Sequence, residues 1–375
     1  MSVKTYEPKD LVTVAKRLNN NKRPYLYVNP LQGKHIPVAP KDSMKVYQTM
    51  GRLLSEKYPN EHILTIGFAE TATAIGLAVS MYASNVLFCM HTTRESYEDA
   101  EYLFFTESHS HATDQKLIIN NLSDVLKDIT KIIFVEDEVT TGNTILKLIH
   151  LMKNSFSDYS GTYGILSIIN SMDGDRLYEL EGQGISCDYI CKIPYEYNIK
   201  LIEKFSYCQQ EKVIASHESF SGKNQFDIKI NSRYIINKEE YFSACKDLWK
   251  RIENMFGKSF LGKKILVLGT EEFMFPAMFI AYMIEKSCPN VIVKNHATTR
   301  SPIMVSKDDG YPLFCRFELP SMYDEQRNTY IYNLVEYDFA LVVTDAKNIT
   351  EKSYSTMDDA LFNAGIKRVE YVMWN

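Results

Sequence analysis

The sequence predicts an α/β fold, in which a mostly parallel sheet covered by helices is followed by a second α/β domain. Apolar runs of strand length alternate with helical patterns through the first half, as in parallel sheets with helices on both faces. Several motifs then return in the same order about 200 residues later. The 375 residues are enough for two domains with a sizeable core.

The elements of the first half follow from periodicity and from the polar residues between the apolar runs. The predicted strands are Tyr25–Val28, Ile63–Ile66, Val86–Met90, Ile132–Val135 and Gly164–Ile169. The predicted helices are Ser43–Tyr58, Thr71–Met81, Ala112–Leu126 and Thr144–Met152.

The composition excludes several classes of function. A net charge of -5 with a pI of about 6.0 argues against a dominant nucleic-acid or anionic-membrane surface. Seven cysteines without the spacing of a zinc site are typical of reduced thiols. The first ten residues lack a signal-peptide core, and the longest apolar stretch, Phe273–Ile284, is too short to span a membrane. We therefore expect a cytoplasmic protein with neither nucleic-acid nor membrane partners.

The repeated motifs predict the domain organisation. The matching pairs are Ile63–Gly67 with Ile265–Gly269, His91–Glu95 with Ala297–Ser301, and Ile133–Asp137 with Leu341–Asp345. The motifs keep the same order and their spacing changes only slowly, which favours duplication. The alternative is two unrelated α/β domains in which strands, loops and helices simply follow one another in a similar way. The predicted boundaries are a first domain over residues 1–207, a polar linker over 208–224 and a second domain over 225–375. The second copy has lost one acid and the turn glycine, which predicts that it is degenerate.

The segment 132–144 carries the strongest chemical signal. Its apolar run ends in Glu136 and Asp137, and a loop of Thr140, Thr141 and Gly142 then leads into a helix. A parallel strand delivers such acids to the carboxyl edge of its sheet, where α/β proteins bind ligands. The free N–H groups and dipole of the following helix suit a phosphate, and the acids suit the hydroxyls of a ribose. The alternative is an ordinary strand-to-helix junction with a threonine cap.

This segment closely resembles the loop with which type I phosphoribosyltransferases bind PRPP (5-phosphoribosyl 1-pyrophosphate). Gly67–Gly76 and Glu107–Thr113 resemble a bacterial, orotate-type subfamily. Members of that subfamily carry a C-terminal domain named for Thr-Arg-Ser-Pro, here Thr299–Pro302, and occur in gene clusters associated with tellurium resistance. The resemblance covers most of the chain. It implies a phosphoribosyltransferase of nucleotide metabolism that requires Mg²⁺.

The resemblance also implies roles for individual residues. Glu136 and Asp137 are expected to bind the ribose hydroxyls, directly or through Mg²⁺, whereas Glu138 fits a solvated loop acid slightly better. Arg94 is expected to face pyrophosphate, with a surface ion pair to Glu95 as the alternative. The residues expected to hold the 5′-phosphate are Val139, Thr140, Thr141, Gly142, Asn143 and Thr144. Those expected to hold pyrophosphate are Gly67, Phe68, Ala69, Glu70 and Thr71.

Three further groups of residues are less specific. The long polar segment 95–115 is expected to be a lid carrying His109 and His111 as donors or general acid, with a plain loop or a metal pair as alternatives. Lys34, His35 and Arg176 lie where related enzymes contact the base, although surface cations would look the same. The repeat places Arg300 where Arg94 stands in the first copy. It thereby predicts a second anion site of Gly269, Glu271, Thr299, Arg300 and Ser301.

The functional prediction is an enzyme that joins a nucleobase or base-like heterocycle to PRPP and releases pyrophosphate, with the reverse direction allowed. The alternatives are a non-catalytic PRPP or nucleotide sensor and an assembly protein with the same fold. No basic helix-turn-helix is apparent, which disfavours a DNA-binding regulator. A homo-oligomer or a pseudo-dimer within the chain is expected. The acceptor base is not readable from the sequence.

Overall fold

The structure is a computed structural model that describes residues 6–20, 24–105, 115–194, 198–208, 212–214, 216, 218–219 and 221–374. Its strands are β1 Thr13–Lys16, β2 Tyr25–Val28, β3 Ile63–Gly67, β4 Val86–His91, β5 Tyr102–Phe105, β6 Gln115–Ile118, β7 Lys131–Val139, β8 Thr162–Asn170, β9 Ile185–Lys192, β10 Gly222–Phe226, β11 Ile236–Asn237, β12 Lys264–Gly269, β13 Ile292–Ala297, β14 Arg316–Pro320, β15 Asn328–Tyr332, β16 Phe339–Thr344 and β17 Val369–Trp374. Its α-helices are α1 Pro8–Leu11, α2 Pro40–Lys57, α3 Thr73–Tyr82, α4 Leu122–Val125, α5 Asn143–Ser155, α6 Gly174–Gly182, α7 Lys200–Glu203, α8 Lys238–Phe260, α9 Phe275–Ser287 and α10 Glu351–Asn363. None of the helices in these ranges is long and apolar enough to cross a membrane.

The chain forms two compact units that are interleaved in sequence. The first unit contains the described residues among 1–8, 45–196 and 230–244. The second contains those among 9–44, 197–229 and 245–375. The sequence instead predicts contiguous domains with boundaries at 207 and 225. The segments 9–44 and 230–244 each pack into a different unit from the one that their place in the sequence suggests.

The first unit is built on a six-stranded sheet in the order β11-β4-β3-β7-β8-β9. Its pairs are parallel except for β11, which runs antiparallel to β4. The central strand β3 is buried along its whole length, and residues 73–80 of α3 are buried as well. Both faces of the sheet centre are therefore covered, which explains why most of β3 and residues 132–135 of β7 are apolar without alternation.

The second unit contains a parallel five-stranded sheet in the order β10-β17-β16-β12-β13. The antiparallel pairs β14–β15 and β1–β2 form two small additional sheets. The predicted α/β character of the second region is thus confirmed.

Most of the predicted elements of the first half are present, with some corrections. The predicted helix Ala112–Leu126 is wrong over its described residues 115–126, because Gln115–Ile118 is a buried strand that pairs with β5 and, of these residues, only Leu122–Val125 is α-helical. The predicted strand Tyr25–Val28 exists but pairs with β1 in the second unit. Part of the expected linker, residues 222–224, belongs to β10 and pairs with β17. Gly222, Lys223 and Asn224 give no apolar signal, so periodicity could not find this edge strand.

Two local hydrogen bonds recur in both units at the positions that the repeat relates. The N–H of Ala69 donates to Thr92 Oγ1 at 2.8 Å, and the N–H of Glu271 donates to Thr298 Oγ1 at 2.8 Å. The N–H groups of the same threonines donate to the carbonyl oxygens of Gly67 and Gly269, at 2.9 and 3.0 Å. These shared details are what duplication would leave, and duplication itself stays a prediction.

Candidate active site

The turn after β3 presents backbone groups at the carboxyl edge of the first sheet. Gly67 ends the strand, and a side chain there would put its Cβ 2.6 Å from the carbonyl oxygen of Ala72. The chain reverses over Phe68 to Ala72, whose N–H donates to the Phe68 carbonyl at 2.9 Å, and α3 then begins at Thr73. The expected strand–turn–helix geometry is therefore present, and glycine is needed for the close approach of helix and strand.

The acids leave β7 in an extended strand. The sequence predicts that the strand ends at Val135, but β7 continues to Val139, and Glu136 and Glu138 pair with Ser167 and Ile169 of β8. Successive side chains of a strand point to opposite faces, so Asp137 lies on the face opposite to both glutamates.

Asp137 is joined to the turn after β3. Thr71 Oγ1 donates to Asp137 Oδ1 at 3.0 Å, and both side chains are half-buried. The structure thus brings together one residue from each of the two motifs that the sequence singles out for pyrophosphate and for ribose.

The loop after β7 has the expected form of a phosphate cradle. Gly142 adopts a positive φ of 70° and caps α5, whose Leu146 N–H donates to the Gly142 carbonyl at 3.0 Å. A Cβ at Gly142 would meet nothing closer than 3.6 Å, so its backbone conformation, not space, demands glycine. The first amides of α5 have no partner within the helix and point, with its dipole, out of its N-terminus.

Arg176 supports this loop from α6. Its Nε donates to the Thr141 carbonyl at 2.9 Å and its NH2 to Asn143 Oδ1 at 2.7 Å, while NH1 lies 2.5 Å from Glu179 Oε2. Asp173 caps α6 by accepting the Arg176 N–H at 2.7 Å, which fixes where the side chain starts. The guanidinium of Arg176 thus contacts the backbone of Thr141 and the side chain of Asn143, one residue on each side of Gly142. The base contact that the sequence predicts for Arg176 stays a prediction.

Arg94 follows β4 at the same sheet edge and is half-buried. The polar residues before and after it are held on neighbouring elements. Thr93 exchanges backbone hydrogen bonds with Lys116 at 2.8 Å each, and the Tyr97 N–H donates to the Tyr102 hydroxyl at 2.6 Å. The described part of the expected lid is therefore ordered by β5 and β6. His109 and His111 lie outside the described residues.

The two N-terminal base-contact residues lie in the second unit. Lys34 is fully buried, and its ammonium donates to the carbonyl oxygens of Glu271 and Thr298 at 2.7 and 2.8 Å. The ring of His35 is buried as well and lies edge-on to Tyr332, with centroids 6.2 Å apart.

In the second unit, the predicted anion site contains its own carboxylate. Glu271, whose side chain is 1 % exposed, accepts Arg300 Nε at 2.5 Å and Arg327 NH2 at 2.9 Å on its Oε2, and Ser321 donates to Oε1. Gly269 ends β12, Thr299 bridges to Tyr330, and the Ser301 N–H donates to Thr299 Oγ1 at 3.2 Å. An external anion at Arg300 would compete with Glu271.

Sequence reasoning missed Tyr47 of α2. The side chain is fully buried, and its hydroxyl has no hydrogen-bond partner among the described residues. It interacts electrostatically with the carboxylate of Asp137. Burial, reinforced by Asp137, raises the pKa of the Tyr47 hydroxyl well above its ordinary value, so it remains protonated. A tyrosine on the apolar face of an amphipathic helix looks like any core residue, and no sequence signal distinguishes it.

Comparison with protein families agrees with this geometry. Residues 11–193 match the family described as phosphoribosyl transferase, and residues 231–361 match the TRSP domain that lies C-terminal to it. The chain belongs to this two-domain phosphoribosyltransferase family. It is accordingly an enzyme of the phosphoribosyltransferase class. A search of curated proteins found no match.

Solved structures that this chain resembles include phosphoribosyltransferases of low sequence identity. An adenine phosphoribosyltransferase from Rhodothermus marinus is 12 % identical, with 49 % of this chain and 96 % of that one covered and a TM-score of 0.33. The enzyme from Trypanosoma brucei, in complex with AMP, pyrophosphate and ribose 5-phosphate, is 9 % identical over 55 % of this chain and 86 % of that one, with a TM-score of 0.36. The orotate phosphoribosyltransferase from Mycobacterium tuberculosis H37Rv is 16 % identical over 49 % and 89 %, with a TM-score of 0.28.

Proposed function

We propose that the first unit transfers the 5-phosphoribosyl group of PRPP to a nucleobase or a base-like heterocycle. The observation that carries this proposal is the Thr71–Asp137 hydrogen bond of 3.0 Å, because it links the turn after β3 to the acidic end of β7. A substrate with pyrophosphate on one carbon of a ribose requires an anion-binding turn beside a hydroxyl-binding carboxylate. The cradle at Gly142 lies at the same sheet edge, one loop further along the chain.

Each part of PRPP has a matching group in this proposal. The amides of residues 142–144 and the hydroxyls of Thr140 and Thr141 bind the 5′-phosphate at the N-terminus of α5. Asp137 accepts hydrogen bonds from the ribose hydroxyls. The same role for Glu136, which projects from the opposite face of β7, stays a prediction of the sequence. The turn Gly67–Thr71 and the guanidinium of Arg94 bind the pyrophosphate.

The donor set fits a magnesium ion that is held partly by substrate. Among the described residues, no group of three or more His, Cys, Asp or Glu side chains could hold a metal alone. Mg²⁺ needs no such group, because it usually binds through one or two carboxylates, substrate phosphates and water. Asp137 would be such a carboxylate, whereas the predicted contribution of Glu136, on the opposite face of β7, stays a prediction. Bound Mg²⁺ would neutralise charge on the departing pyrophosphate.

In the reaction, the bond between C1 of the ribose and the pyrophosphate oxygen breaks, and a ring nitrogen of the base supplies the electron pair of the new bond. The proton that this nitrogen carries is released to solvent. Positive charge develops on the ribose while negative charge grows on pyrophosphate. The carboxylate of Asp137 stabilises the first, and the turn amides with Arg94 stabilise the second. Lys34, His35, the TRSP-domain anion site and the tellurium association stay predictions. We place the reaction in the cytoplasm, since all seven cysteines are free thiols.

The test is pyrophosphate release from PRPP and Mg²⁺ with a panel of purine and pyrimidine bases that includes adenine and orotate. Asp137→Asn should reduce turnover with the productive base by at least about tenfold, because the variant loses a charge-assisted hydrogen bond worth about 1.5–3 kcal/mol. Glu138→Gln is the matched control, as Glu138 lies on the same strand and projects from the opposite face. Near-normal release by Asp137→Asn, or equal losses in both variants, would refute the assignment.

A further inference from the structure

The first unit is completed by a short segment from the start of the TRSP domain. Ile236 and Asn237 form β11, which pairs antiparallel with Cys89 and Phe88 at the edge of the sheet. Because β11 runs opposite to β4, the residues just before it lie beside the carboxyl end of β4. That is the end from which Arg94 follows.

Ser232 contacts the last residue of β4 in two ways. The N–H of His91 donates to the Ser232 carbonyl at 3.0 Å, and His91 Nε2 lies 3.1 Å from Ser232 Oγ. The other ring nitrogen, Nδ1, lies 2.8 Å from the carbonyl oxygen of Thr92. Thr92 Oγ1 in turn accepts the Ala69 N–H at 2.8 Å. A chain of contacts thus runs from Ser232 to the turn that we assign to pyrophosphate.

The next two residues hold the chain on the far side of Arg94. The rings of Tyr234 and Tyr97 meet edge to face with centroids 6.0 Å apart. Arg233 is fully buried, and its Cζ lies 5.7 Å from the centre of the Tyr97 ring. The segment 232–234 therefore contacts His91 three residues before Arg94 and Tyr97 three residues after it.

The second unit has a corresponding arrangement built from the N-terminal half. Val38 bridges antiparallel to Asn295 of β13, which is the repeat equivalent of Cys89. Lys34, just before it, donates to the carbonyl oxygens of Glu271 and Thr298 in the turn after β12. In the first unit, the segment before α8 supports the turn region of a sheet that is formed mainly by the N-terminal half of the sequence. In the second unit, the segment before α2 supports the turn region of a sheet that is formed mainly by the C-terminal half. The contact at Ser232 is therefore a recurrent feature of this chain.

We propose that Ser232 and Tyr234 are positioning residues for pyrophosphate binding, and that supplying them is a function of the TRSP domain in the reaction. They act through His91 and Tyr97, which set the course of the chain that carries Arg94. This inference rests on the proposed function. A purely structural role, in which the segment only closes the edge of the sheet, would affect stability and leave the choice between ligands unchanged.

The experiment compares two ligands in the full-length chain with Mg²⁺. Ser232→Ala with Tyr234→Leu should weaken binding of pyrophosphate about tenfold and change binding of ribose 5-phosphate less than about twofold, as measured by calorimetry. The single variant Tyr234→Phe keeps the aromatic ring and should retain most of the wild-type affinity for pyrophosphate. If the double variant fails to fold, Ser232→Ala alone provides the same comparison with a smaller difference.

Tyr159→Leu is the matched control. Tyr159 is also half-buried and packs its ring edge-on against Tyr163 at 5.6 Å, at the amino end of β8. It should lower stability and leave both affinities unchanged. Equal weakening of both ligands by the Ser232 and Tyr234 changes, or no change in either, would overturn the positioning role. A wild-type protein that binds neither ligand would overturn the proposed function and this role with it.

Discussion

Removing the guanidinium of Arg176 should selectively weaken binding of the 5′-phosphate. Arg176→Ala loses the hydrogen bond to the Thr141 carbonyl at 2.9 Å and the one to Asn143 Oδ1 at 2.7 Å. Hydrogen bonds from a charged donor contribute about 1.5–3 kcal/mol each. The Arg176 side chain is 20 % exposed, so water replaces part of the energy of these two hydrogen bonds. We therefore expect a net loss of about 2 kcal/mol in the binding of ribose 5-phosphate, or about 30-fold in its affinity.

The assay is calorimetric titration with ribose 5-phosphate and, separately, with pyrophosphate. Arg176→Ala should affect the first ligand alone, and Arg176→Lys should fall in between, because an ammonium is a point donor that cannot span Thr141 and Asn143 as a planar fork does. Glu179→Gln removes only the exposed ion pair and should change affinity less than about twofold. Unchanged binding of ribose 5-phosphate by Arg176→Ala would refute the supporting role, and so would an equal loss for pyrophosphate.

Two further substitutions test local conformation and burial. Gly142→Ala places a side chain at a φ of 70°, so it should lower the free energy of unfolding by about 1 kcal/mol and weaken the binding of ribose 5-phosphate. Gly174→Ala is the control, because no atom lies within 4 Å of its Cβ, and it should change neither quantity. Denaturant titration measures the stability of both variants, and calorimetry measures their affinity. Burial lowers the pKa of His296 to about 4 from 6.5, so the unfolded chain takes up a proton at this site before the folded chain does as the pH falls. Acidification from pH 6.5 to 4 should therefore remove up to about 3 kcal/mol of stability, and His296→Gln should flatten that part of the profile of unfolding free energy against pH; an unchanged profile would contradict it.

The sequence predicts the centre of the first sheet well because the apolar runs and glycines that indicate its strands and turns are local features of the sequence. The run at 132–135 and the glycine at 142 depend only on neighbours in the chain, and both are found where expected. The continuation of β7 to Val139 could not be predicted, since it depends on pairing with β8 and overrides the polarity of Glu136 and Glu138.

Long-range packing explains most of the remaining differences. Nothing near Lys34 in sequence indicates that its ammonium is buried against Glu271 and Thr298, more than two hundred residues away. For the same reason, no local signal in the sequence assigns Ser232 to the first unit. Which of several neighbouring groups the guanidinium of Arg176 contacts depends on the angle of α6, and periodicity does not report that angle.

The interleaving of the two units affects how the protein is made on the ribosome. Strands β1 and β2 are synthesised well before Ile303 and Val305, which pack with them and emerge nearly three hundred residues later. At a synthesis rate of roughly 5–20 residues per second, the early strands wait about 15–60 s for their core. The apolar side chains of Ala15 and Val28 are exposed to other nascent chains during that interval. Expression yield should therefore depend on translation speed and on chaperones that bind early apolar segments, even though the finished chain buries both residues completely.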